Sequence, residues 1–196
     1  MKSYFLILAS LLFFAACKPA VTEDKKEAVT AKENCPYARN EMNADGKSIK
    51  MVEDALFITL ANSDTALVRK TGNADYLKGY MSCVRIDTVI GMYFDFKIFS
   101  ADAYREYGMI RKDNKISFIL KSGKTVVVPF AVTFSGNTNL TSDITEYKTY
   151  AHVSPDEAGM LKTSELQRVT ISWAKMEEEY KVVNPGIFMS QIPCVE

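Results

Sequence analysis

The stretch from Thr88 to Phe99, TVIGMYFDFKIF, decides the reading of this chain. Ile90, Met92, Phe94, Phe96 and Ile98 alternate with Gly91, Tyr93, Asp95 and Lys97. Successive side chains of a strand point to opposite faces, so this pattern puts one apolar face on a core and leaves the other largely to solvent. The stretch reads as a long, half-buried antiparallel strand. Tyr80 to Asp87 reads as its neighbour and Asp54 to Leu60 as a further strand.

Downstream, Lys115–Leu120 and Thr125–Phe130 flank Lys121-Ser122-Gly123-Lys124. Gly123 supplies the positive φ that a tight turn needs, which predicts a β-hairpin. Pro129 has no N–H for a ladder, so its strand ends there or runs along an edge. Val169, Ile171 and Trp173 share one face, and Tyr180–Val183 reads as another strand. Two short helices have recognisable starts. Ser154-Pro155-Asp156-Glu157 carries the elements of a capping box, with a helix to about Lys162. Ser100 is placed to cap Ala101–Tyr107, with Gly108 closing it. Asn184-Pro185-Gly186 breaks the pattern, and Ile187-Phe188-Met189 is expected to pack the tail onto the core. The expected fold is mainly β (α+β): one antiparallel β-sandwich or half-barrel domain over residues 35–196, with two or three short helices.

The chain begins differently. Lys2 is followed by the uncharged apolar run Tyr4 to Ala16, too short to span a bilayer as a stable helix. A basic tip, a short apolar stretch and small residues before a cut site form a signal peptide, here residues 1–16. Phe14-Ala15-Ala16-Cys17 resembles the bacterial lipobox, with Phe14 where an aliphatic residue is usual. That resemblance implies a lipoprotein: a diacylglycerol thioether and palmitate on Cys17, and a membrane reached through that lipid. Lys18 follows, whereas an aspartate there retains such proteins in the inner membrane. The same rule therefore implies the outer membrane of a cell envelope. Residues 18–34, KPAVTEDKKEAVTAKEN, hold four lysines, four acids and no aromatic residue. This composition buries too little apolar surface to offset chain entropy, so residues 17–34 read as a disordered tether.

The 24 basic and 24 acidic residues balance, and loss of Lys2 leaves one net negative charge. Without a clustered positive excess, nucleic acid is not an expected partner. Arg111–Lys115 and Glu177–Glu179 read as solvated faces. Of the 4 cysteines, Cys35, Cys83 and Cys194 remain beside Cys17. An exported chain meets an oxidising compartment, so one bridge is expected. Cys35 with Cys194, at the two domain edges, is preferred over Cys35 with Cys83. Cys83 suits a buried thiol, and no basic neighbour marks it as a thiolate.

No constellation amounts to a catalytic signature. His152 is the single histidine, and a triad would need it with Asp156 or Asp143, but no nucleophile elbow accompanies it. No metal or cofactor site is expected. Zinc spacing is lacking, and Asn137, Asn139 and Asp143, in a loop from Ser135, lack the acidic repeat of a calcium loop. Gly72, Gly79 and Gly91 are isolated. Asp64-Thr65-Ala66 and Asp87-Thr88-Val89 are similar to a three-residue O-glycan acceptor pattern. Tyr104, Tyr107, Tyr147 and Tyr150 cluster near element ends and form a candidate sugar- or peptide-binding surface, weighed against plain core packing.

The order of elements also resembles a loose group of small, β-rich envelope lipoproteins, which implies no activity. The expected function is non-enzymatic binding or assembly, with an envelope protein or glycan as partner. An inhibitor or immunity lipoprotein inserting the loop Ser135–Asp143 into a hydrolase is the alternative. A carboxylate-dependent envelope hydrolase comes third.

Overall fold

The computed structural model describes residues 35–196 except 66, 67, 70, 71 and 73. The leader, Cys17, the expected tether and Ala66 of the first acceptor triplet lie outside those residues. The strands are β1 (Tyr37–Met42), β2 (Ser48–Val52), β3 (Ala55–Ala61), β4 (Asp75–Ile86), β5 (Val89–Ile98), β6 (Lys115–Leu120), β7 (Thr125–Pro129), β8 (Asn137–Asn139), β9 (Ile144–Val153), β10 (Leu166–Ser172) and β11 (Glu177–Val182). The helices are α1 (Ala103–Tyr107), α2 (Pro155–Leu161) and α3 (Ile187–Val195). Among the described residues, none of these helices is long and apolar enough to cross a membrane.

All strand pairs are antiparallel, in the order β7-β6-β10-β11-β3-β4-β5-β9-β8, with β2 added beside β4 and β1 beside β2. The long strand β4 carries two partners on one edge: β3 from Asp75 to Met81 and β2 from Val84 to Ile86. On its other edge it pairs with β5 from Leu77↔Ile98 to Ile86↔Val89. The alternation of β5 is realised as its sequence predicts, with Met92, Phe94, Phe96 and Ile98 buried.

The sheet curls into a half-barrel. Phe94 of β5 lies 6.5 Å from Phe118 of β6 and 6.0 Å from Phe130, just beyond β7, although β5 and these strands stand far apart in the sheet order. Only a sheet folded over its own inner face brings those rings together. Register shifts in β3 at Leu56/Ile58 and Leu60/Ala61, and in β10 at Leu166/Arg168, mark bulges of the kind that bend a strand and increase its local twist. The far edge returns to β9 through the bridge Phe130↔Ala151, and the Ala131 N–H donates to the Tyr150 carbonyl at 2.7 Å.

The β6–β7 hairpin turns at Gly123 with φ +83°, and β7 ends at Pro129 on the sheet's outer edge. The capping box of α2 is complete: the Glu157 N–H donates to Ser154 Oγ, and the Ser154 N–H donates to Glu157 Oε2 at 2.8 Å. α1 begins later than its sequence predicts, at Ala103, because Ser100 Oγ accepts from the Asp102 N–H and holds the chain in a turn ahead of the helix. The tail is helical. Phe188 of α3 packs edge-on against Phe118 at 4.8 Å. The Gln191 amide joins the helix to the sheet, accepting from the Cys83 N–H at 2.7 Å and donating to the Glu53 carbonyl at 3.1 Å. Cys35 and Cys194 form a disulfide, while Cys83 is a fully buried thiol that burial pushes up to about 12.

Candidate functional site

At one end of the half-barrel, α1 lies across the start of β4 and the end of β3 and leaves a cavity of about 480 Å³. Leu60, Asn62, Tyr76, Glu106, Tyr107 and Glu178 are among its walls. Each residue is placed by its element. Tyr76 opens β4, Glu106 and Tyr107 end the single-turn helix, and Glu178 shares a face of β11 with Tyr180, two residues on. Gly108, at φ +75°, ends the helix and lets the chain leave directly toward the core.

Two phenol–carboxylate pairs organise the site. Tyr76 Oη donates to Glu106 Oε2 in a short contact, and Tyr107 Oη donates to Glu178 Oε2 at 2.8 Å. The two tyrosine rings are stacked, with centroids 6.4 Å apart. Glu178 Oε2 also accepts from Tyr180 Oη at 2.9 Å, and Trp173 Nε1 donates to that same phenol oxygen at 2.8 Å. A relay of oriented hydrogen bonds thus runs from the buried indole to the cavity wall. Trp173 packs edge-on against Phe96, Tyr107 and Tyr147, which fixes the rings behind the wall.

Burial, reinforced by the neighbouring glutamates, raises the phenols of Tyr76, Tyr107 and Tyr180 well above their ordinary value. Burial also pushes Tyr147 up to about 12. These hydroxyls therefore stay donors, and Glu106 Oε2 and Glu178 Oε2 accept from them. Oε1 of Glu106 and of Glu178 has no hydrogen-bond partner among the described residues, and neither carboxylate has a basic partner within 4.0 Å there. A raised phenol contributes stability that is complete below its unfolded value near 10 and is lost as pH climbs through the folded value. The urea midpoint is accordingly expected to hold from neutral pH to about 10 and to fall steadily above it. A midpoint unchanged well into that alkaline range would contradict the buried phenol cluster.

The structure does not bring the four tyrosines of the candidate surface together, and core packing, the reading preferred from sequence, describes Tyr147. Tyr147 is fully buried and donates to the Gly108 carbonyl at 2.8 Å. Tyr150 lies on the opposite face of β9, its ring across Gly91, where a Cβ would collide with the phenol. Three residues of separation on a strand place side chains on opposite faces. Tyr104 is 47% exposed, with Lys175 Nζ 5.7 Å over its ring. Only Tyr107 of the four lines the cavity. Tyr76, Glu106 and Glu178 were not singled out in sequence. A signal for Glu178 existed in the shared parity of Glu178 and Tyr180, which a solvated Glu177–Glu179 run obscures.

His152 is exposed on β9, with Tyr150 Oη 3.4 Å from its Nδ1 and neither Asp156 nor Asp143 bonded to it. In the loop from Ser135, Asn139 Oδ1 accepts from the N–H groups of Thr141 and Ser142. That oxygen shapes a turn between β8 and β9, with Asp143 at φ +54°. Among the described residues no group of three or more His, Cys, Asp or Glu side chains is placed to hold a metal ion.

The chain matches no known family model, no curated protein and no solved structure. The class it defines is thus structural: an antiparallel half-barrel with an acid–phenol cavity at one end.

Proposed function

We propose that this protein is a lipid-anchored binding module of a bacterial cell envelope, carried on an acylated Cys17 at the outer membrane, which takes an envelope glycan at the Tyr76–Glu106–Tyr107–Glu178 cavity. One observation carries the ligand reading: two glutamates fixed by phenols each keep a carboxylate oxygen with no partner among the described residues, in a cavity sized for a small molecule. Sugar hydroxyls donate to such oxygens, and the apolar C–H face of a sugar ring suits the Leu60 and Met176 side of the wall. The anchor reading is supported by Phe14-Ala15-Ala16-Cys17 and the apolar leader before it.

Calorimetric titration with chitotetraose tests the ligand. A hydrogen bond to a charged acceptor contributes about 1.5–3 kcal/mol, so Glu178→Gln and Glu106→Gln are each expected to weaken binding by roughly tenfold or more. Equal affinity in both variants contradicts the site. Appearance of shorter sugars, lost in either variant, would move the protein to the hydrolases. For the anchor, radiolabelled palmitate is expected in the native chain and not in Cys17→Ser, and label in neither would contradict it.

One observation favours the inhibitor reading as second. Leu140 is 80% exposed on the β8–β9 turn that Asn139 braces, a preformed apolar tip suited to insertion into another protein's cleft.

A further inference from the structure

The outer face of the β4–β5–β9 ladder carries a second cavity, of about 160 Å³, which shares no lining residue with the glutamate site. Ala38 of β1 and Met51 of β2 wall it from the side. Strand register builds its floor: Tyr80 stands opposite Asp95 and Ser82 opposite Tyr93, while Lys148 of β9 stands opposite Asp95. Two polar oxygens of this floor lack a hydrogen-bond partner among the described residues. Ser82 is 1% exposed, and its Oγ makes no hydrogen bond; Asp95 Oδ1 is buried and likewise unpaired. The other aspartate oxygen, Oδ2, has Lys97 and Lys148 each 4.0 Å away, at the limit of an ion pair.

A buried oxygen without a partner costs free energy, and native folds keep few of them. Here both belong to residues that line one cavity and both can accept a proton donor. Asp54, Asp95 and Lys148 are the charged walls, and with Lys97 beside Asp95 and Glu146 beside both lysines the cluster carries one net negative charge, which matches a monocation. Tyr80 and Tyr93 add aromatic surface, which attracts a cation and accepts an alkyl stem. Lys97, 5.5 Å over the Tyr80 ring, already uses one such face.

We infer that this cavity binds a primary ammonium group on a slender alkyl chain, donating to Asp95 Oδ1 and Ser82 Oγ beside the Tyr80 and Tyr93 rings. Burial raises Asp95 against the opposing pull of Lys148 and Lys97, and a bound cation favours its charged form. The site is independent of the glycan cavity, so either can fail alone.

The test is a titration of the whole folded chain with ethylammonium chloride, followed by amide NMR shifts. Saturable shifts are expected at the amides of Tyr80, Ser82, Tyr93 and Asp95. Asp95→Asn should raise the dissociation constant roughly tenfold or more, as expected for loss of a charged acceptor. Ser82→Ala should raise it by a smaller factor and serves if the aspartate variant does not fold. Tetramethylammonium, with the same charge and no N–H, should give no saturable shift. Nα-acetyl-lysine methylamide and phosphoethanolamine then separate a peptide source from a headgroup source, and saturable binding of either supports the assignment. Saturation by both simple salts alike, no saturation by ethylammonium, or an affinity untouched by Asp95→Asn and Ser82→Ala would overturn it.

Discussion

Trp173→Ala is expected to lower the unfolding free energy by about 3–5 kcal/mol, among the largest effects of any single substitution in this fold. The indole is 3% exposed and makes edge contacts at 5.6 Å with Phe96, 5.0 Å with Tyr107 and 5.3 Å with Tyr147. Truncation opens a void among three rings that belong to β5, α1 and β9, elements that cannot all close on it together. It also removes the N–H that donates to Tyr180 Oη, leaving a buried phenol oxygen short of one partner. Because Tyr107 rests on the indole, the loss should reach the cavity as weaker ligand capture in whatever fraction remains folded. Trp173→Phe keeps most of the ring volume and loses the donor, so an intermediate loss is expected. Urea titrations of the three chains check this, and a loss below about 1 kcal/mol for the alanine variant would remove Trp173 from the centre of the core.

Opening the Cys35–Cys194 bridge should cost nearly as much. The cysteines are 159 residues apart, so the bridge closes almost the whole described chain into a ring. Loop-closure entropy for a ring of that size amounts to about 5 kcal/mol, and removal of native bridges typically costs about 2–5 kcal/mol. The native contacts at the bridge are local and have other support. Tyr37 Oη donates to the Cys194 carbonyl at 2.7 Å, and Arg85 reaches the carbonyls of Val195 and Glu196. Cys35→Ser is therefore expected to keep the folded structure while its thermal midpoint drops by roughly 4–20 °C, given about 2–4 °C per kcal/mol for a domain of this size. Calorimetry with and without reductant checks it. A midpoint indifferent to both would mean that α3 is held by packing alone.

Much of the fold was legible because strand periodicity is a local property. Thr88–Phe99 announces its two faces residue by residue, and Gly123 and the Ser154–Glu157 box mark a turn and a helix start by chemistry confined to four residues. Elements without such local marks are not legible in the sequence. α3 follows Gly186, which offers no side-chain cap, and contains Pro193, so neither end carries the usual helix signal. Strand β1 is largely exposed and polar, β2 has only five residues, and the pairing of β1 with β2 and of β2 with β4 is a tertiary event that no window of sequence contains.

The candidate site was less legible for the same reason. Tyr76, Glu106 and Glu178 come from three elements, and only the curl of the sheet and the crossing of α1 bring them to one wall. Tyr104 and Tyr107, and likewise Tyr147 and Tyr150, are near neighbours by number, but strand alternation sends Tyr147 into the core and Tyr150 to the reverse face of β9. The disulfide stands between these cases. Its partners are distant in sequence, but their place at the two edges of the domain favours one pairing over the others.

Chemical-shift mapping of chitotetraose on the native chain tests the account most directly. Perturbed amides are predicted to gather at Leu60–Asn62, Tyr76, Glu106–Tyr107 and Glu178, the wall formed by α1, β3, β4 and β11. Perturbations confined to the β8–β9 turn around Leu140, or none at saturating sugar, would contradict it.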